Sequence, residues 1–148
     1  MNKTTWLGVA LAALCLPTLV RAQTLTTARN KQVVQRAFAD WAKGQGSLYD
    51  LLTPDAHWTL TGSSPLSKTY LSKQQFIDAT VTPLFKRLAT PFVPKVRSLY
   101  AEGDVVIVTF DGSSTANDGQ PYHNTYCLIM TMKDGRIIST VAFLDLLA

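Results

Sequence analysis

The sequence predicts an α+β domain, with helices at the front of the chain and an antiparallel sheet of four long strands, plus one short early strand, behind them. Three observations carry this. Residues 92–101, 105–115, 122–132 and 136–145 are runs rich in β-branched and aromatic side chains, as strands require. The links at 102–104, 116–121 and 133–135 each place Gly beside Asp, the pairing that a tight reversal with positive φ selects. Strands joined by such short links pair with their sequence neighbours, so the long strands form an antiparallel meander. Ahead of them, apolar residues recur at helical spacing.

The first helix is predicted over residues 28–42, capped by Thr27 and ended by Gly44, with Val33 or Val34, Ala37 or Phe38, and Trp41 forming a one-sided stripe. Ser47 and Asp50 have capping-box spacing before Leu48, Leu51 and Leu52, which predicts a short second helix stopped by Pro54. Residues 56–60 alternate as a short strand, and 62–69 form a loop. Ser72 and Gln75 open a third helix, which Pro83 should kink near 80–82 for want of an N–H donor. Pro94 marks the first long strand as an edge strand or the site of a bulge.

The first 22 residues read as a signal peptide. Lys3 supplies the basic end, residues 6–19 an apolar run short for a membrane span, and Val20-Arg21-Ala22 the small residues of a cleavage site. Residues 23–148 then form one domain, exported to the periplasm or secreted. An uncleaved anchor and a lipoprotein built on Cys15 are weaker readings, the second because Leu14 stands where a small residue is expected. Loss of Lys3 and Arg21 lowers the net charge from +4 to +2, and the remaining bases are scattered, which argues against nucleic acid. Cys127 is then the lone cysteine, so no internal disulfide is expected. No spacing of His, Cys and carboxylates suggests a metal, and no phosphate loop or nucleophile elbow suggests a cofactor or an acyl transfer.

Four segments together carry a family resemblance: LYDLLTPDAHW at 48–58, GQPYHNTY at 119–126, DGRI at 134–137 and FLD at 143–145. In this order the chain resembles the SnoaL-like branch of the nuclear transport factor 2-like superfamily, a fold it shares with ketosteroid isomerases and polyketide cyclases. The resemblance implies a cone-shaped, strongly curved sheet whose concave face is covered by three N-terminal helices. It does not imply one activity, because the fold hosts isomerases, cyclases, dehydratases and silent binding modules. Where ketosteroid isomerases keep the oxyanion-hole tyrosine and the catalytic aspartate, the matching positions here are Ala37 and Leu60. Steroid isomerisation by that route is therefore disfavoured.

Alternation places Tyr122, Asn124 and Tyr126 on one face of their strand and His123, Thr125 and Cys127 on the other. The resemblance turns Trp58, Asn124, Tyr126 and Phe143 inward. The expected pocket has walls of Trp41, Trp58, Tyr126 and Phe143, with Tyr70 at its mouth and polar points at Asn124, Tyr126 and Asp145. Desolvation among rings would raise the Asp145 pKa toward general acid or base work, with Asn124 or Tyr126 steadying an oxyanion. A solvated strand-end aspartate is the commoner case. The sequence thus favours binding of a small apolar, aromatic or carbonyl-bearing molecule; the alternatives are a cofactor-independent isomerase, cyclase or dehydratase using Asp145, and a homodimeric module associating through the outer sheet face.

Overall fold

A computed structural model describes residues 16–145, with side-chain environments from residue 20 onward. Helix α1 spans Leu16–Trp41 and is longer than its apolar stripe predicts. Thr27 is therefore not an N-cap but an interior residue, and its Oγ1 accepts a hydrogen bond from Gly103 N–H at 2.9 Å. The stripe itself is Thr27, Asn30, Val34, Phe38 and Trp41, at steps of three and four, and Asn30, Val34, Phe38 and Trp41 within it are buried. It lies on strands β3 (Val93–Glu102) and β4 (Val105–Thr115).

The second helix is reduced to one 3-10 turn, Leu48–Leu51, in which the Asp50 carboxylate accepts from Ser47 N–H at 2.7 Å. The chain is already extended at Leu52, and crowding by Pro54 holds Thr53 out of the helical region. Strand β1 thus spans Leu52–Leu60, earlier than its alternation suggests. After β2 (Thr69–Tyr70), Ser72 Oγ accepts from Gln75 N–H at 3.2 Å and opens α2 (Lys73–Phe76). The Gln75 side chain returns to Leu71 N–H rather than to Ser72, so only half of the expected box is made. The predicted break is present: a π-helical turn, Ile77–Val81, separates α2 from α3 (Thr82–Lys86), and Thr82 N–H donates back to Ile77 O. Pro83 has no N–H to continue the α-helical ladder at this point. The expectation of three helices thus resolves into one long helix, one turn and one broken helix.

The sheet has six strands in the order β2-β1-β6-β5-β4-β3, with β5 at Pro121–Lys133 and β6 at Arg136–Leu144. It is open and mixed rather than wholly antiparallel, because β1 pairs with β6 in parallel. Strands β3 to β6 pair antiparallel with their sequence neighbours. The β5–β6 reversal uses Asp134 and Gly135, with φ of 51° and 75°, the two successive positive values a two-residue hairpin turn demands. Strand β3 is an edge strand that also bulges at Arg97, so Pro94 leaves no ladder bond unmade in the sheet interior.

The covered face holds the core, including Leu52, Val106, Val108, Met130, Met132 and Ile137. Each such side chain contributes about 1.5–3 kcal/mol through removal from water. Among the described residues no helix is long and apolar enough to cross a membrane. Of the expected leader, Lys3, Cys15 and residues 6–15 of the apolar run lie outside the described residues, and α1 runs from Leu16 through Val20-Arg21-Ala22.

Candidate functional site

Between the C-terminal end of α1, the broken helix and the covered faces of β4, β5 and β6 lies a cavity of about 280 Å³. Its walls are aromatic because each neighbouring element contributes a ring. Trp41 closes α1, Tyr49 sits in the 3-10 turn, Trp58 in β1, Phe76 at the end of α2, Phe92 just before β3, and Phe110 in β4. Trp58 stacks on Phe76 (centroids 4.2 Å apart, 12° between planes), Trp41 on Phe92 (5.1 Å, 25°) and Phe110 on Tyr126 (4.6 Å, 6°). Such pairs hold one another in place and present flat faces to a guest.

Polar groups are few. The Tyr122 and Tyr126 hydroxyls are hydrogen-bonded at 2.6 Å. Burial, then the bond to Tyr122, push the Tyr126 phenol well above its ordinary pKa, and burial does the same for Tyr49. Both are thus neutral O–H groups across the physiological range. The Trp58 indole N–H is buried and meets no acceptor among the described residues. Asn124 lines the cavity, but its Nδ2 donates to the backbone carbonyl of Asp145 at 2.7 Å, so it anchors the end of β6.

Trp41, Trp58, Asn124, Tyr126 and Asp145 all line this cavity. Phe143 does not. It is 46% exposed on the opposite face, because the β5–β6 register slips at Ile138. One extra residue inverts the alternation, so Thr140, Ala142 and Leu144 turn inward and Val141 and Phe143 outward. Tyr70 is buried beside Phe76, its hydroxyl donating to Leu66 O at 3.0 Å, and is absent from the cavity lining. Asp145 is exposed at the mouth, so the enclosure a desolvation argument needs is lacking there. His57 and His123 are exposed on the outer face.

The sequence reading missed Tyr49, Phe76, Phe92, Phe110 and Tyr122 as lining residues. Alternation with Asn124 and Tyr126 could have found Tyr122; the others depend on how distant elements converge. Among the described residues no three His, Cys, Asp or Glu side chains are grouped to share a metal.

The chain matches the SnoaL-like domain family over residues 34–140 and belongs to that family. Comparison with curated proteins gives no match. Among solved structures, the chain is similar to a protein named as a SnoaL-like polyketide cyclase from Jannaschia sp. CCS1, at 20% identity and a TM-score of 0.65, covering 82% of this chain and 89% of the other. Bal32a from a soil-derived mobile gene cassette gives 20% identity, a TM-score of 0.64 and coverage of 80% and 91%. TerC, co-crystallised with polyporic acid, gives 19%, 0.62, and 79% and 92%. At such identities the likeness establishes the shared nuclear transport factor 2-like fold and leaves the reaction open.

Proposed function

We propose that this protein, exported after cleavage near Ala22, binds a small planar aromatic or polycyclic molecule bearing a carbonyl. The observation that carries the reading is the ring-walled cavity with a hydrogen-bonded tyrosine pair inside it. Rings stacked on flat guests gain contact area at little entropic cost, because the walls are already ordered by one another. One proton satisfies the bond between the two tyrosines, leaving the second O–H to donate. Tyr122 is the less buried partner, so Tyr126 donating to Tyr122 and Tyr122 donating to a carbonyl is the arrangement that satisfies all three oxygens. TerC, with the same fold, was co-crystallised with a small molecule, in keeping with this use of the cavity.

Trp41 and Trp58 both line the cavity, so tryptophan fluorescence reports its occupancy. Titration with 2-acetylnaphthalene should give saturable quenching and tighter binding than naphthalene, and Tyr122→Phe should erase that difference. Absence of saturable quenching with either compound defeats the reading.

A proton-transfer reaction run by Asp145 is a second reading, favoured only by its place at the cavity mouth. Asp145→Asn would abolish any turnover found if Asp145 is the base and leave it intact if not. Association through the outer face is a third reading, because Ile129, Val141 and Phe143 lie on adjacent strands there, each more than one-third exposed. Sedimentation velocity at micromolar concentrations distinguishes a dimer from a monomer.

A further inference from the structure

We propose that the cavity's ligand carries an acidic group and that Arg87 binds it. This rests on the reading of the cavity as a binding site and adds the charge of its occupant. Arg87 is the only Lys, Arg or His among the described residues lining the cavity. It follows α3 directly, and its backbone is clamped: Arg87 N–H donates to Leu84 O at 2.9 Å, and Arg87 O accepts from Asn117 N–H at 2.8 Å. On either side, Asn117 Nδ2 donates to Lys86 O at 2.8 Å and Ala89 N–H to Thr115 O at 2.7 Å. The backbone that carries the Arg87 side chain is thereby tied to the β4 end rather than left in a loose loop.

Among the described residues Arg87 has no carboxylate partner within ion-pair distance. Among the described residues the sole ion pair is Arg97–Asp111, on the outer face. A guanidinium is weakly hydrated, stacks on flat rings and offers two parallel N–H groups to a carboxylate or sulfonate, which suits it to the edge of an aromatic cavity. The walls exclude water on one side, so a contact made there is less screened than one on open surface. Asp145 is the other charged residue among the described residues lining the cavity.

The test uses two fluorescent probes sharing one ring system, 8-anilino-1-naphthalenesulfonate and uncharged N-phenyl-1-naphthylamine. The full-length protein should bind the sulfonate more tightly than the neutral probe. Arg87→Gln should weaken the sulfonate about tenfold, the scale of one charge-assisted contact, with Arg87→Lys between the two. Affinity for the neutral probe should stay within about twofold, which also shows that the variants fold. Equal affinities in the wild type, an equal loss of both probes, or no loss in Arg87→Gln overturns the proposal while leaving the cavity reading standing. Failure of both probes to bind the wild type removes the cavity reading and this inference with it.

Discussion

The ring of Phe92 lies over the backbone of Gly112 in the space a Cβ at that position would fill, and a Cβ there would also meet Tyr126 Cε2 at 3.0 Å. Gly112 stands opposite Pro94 on β3 and Asn124 on β5, so the missing side chain leaves room for the Phe92 ring, itself a wall of the cavity, where three strands meet. Gly112→Ala must push Phe92 off Trp41, with which it stacks at 5.1 Å. We expect a loss of about 1–3 kcal/mol, read as a lower urea midpoint, as for other overpacked cores. In a Phe92→Ala background the same change should cost much less, since the main obstruction is gone. Additive losses in that double-mutant cycle would contradict the packing account.

What was legible in the sequence was local. Asp134-Gly135 announces a two-residue turn through its own backbone preference, and Pro94 and Pro83 act on the residues beside them, so strand limits and the helix break could be read directly. The parallel pairing of β1 with β6 joins Trp58 to Thr140, far apart in the chain, and no turn residue encodes it. Phe143 was misplaced for a related reason. The resemblance turns it inward, whereas the extra residue at Ile138 reverses the parity of β6, and a bulge leaves little trace in side-chain chemistry. Thr27 looked like a cap because threonine before an apolar stripe usually is one. Its hydroxyl instead serves the β3–β4 turn, a partner no local pattern could name.

The outer face should weaken in acid. Hydrogen bonds from Arg97, at 2.8 Å, and from Thr125, at 2.9 Å, hold the Asp111 carboxyl below its ordinary range. A carboxyl with a depressed folded-state pKa stabilises above its unfolded value, near 3.9, and that contribution is lost as pH falls through the lower folded value. The Asp111 carbon resonance should therefore titrate below that of a peptide aspartate. Arg97→Gln should return it upward and flatten the stability profile below about pH 4. A titration unmoved by Arg97→Gln would refute the pairing.

The cavity should weaken the fold in alkali. Tyr49 and Tyr126 hold their protons more tightly when folded than in the unfolded chain, where tyrosine titrates near 10. The sign is opposite to that of Asp111. Their contribution is fully present below about pH 10 and declines as pH rises beyond it, toward the raised folded values. Phenolate absorbance should show both groups ionising only on unfolding, and Tyr126→Phe should make the fall of the urea midpoint above pH 10 shallower. Tyr126→Phe should itself cost only about 0.5–1.5 kcal/mol at neutral pH, because the half-exposed Tyr122 can turn to water.

A clasp ties α1 to the β3–β4 turn. Asn30, 3% exposed, donates from Nδ2 to Gly103 O at 3.3 Å, and Gly103 N–H donates to Thr27 Oγ1 at 2.9 Å. The preceding residues 20–26 are all exposed, so of the described side chains, cleavage after Ala22 would remove only exposed ones. A chain beginning at Gln23 should melt within about 2 °C of the full-length protein. A chain beginning at Lys31 loses both clasp residues and should melt well below it, as should Asn30→Ala, which strands a carbonyl acceptor at a cost of about 1–3 kcal/mol. A large loss on removing the first 22 residues would show that the leader is part of the fold, and would count against its reading as a cleaved signal.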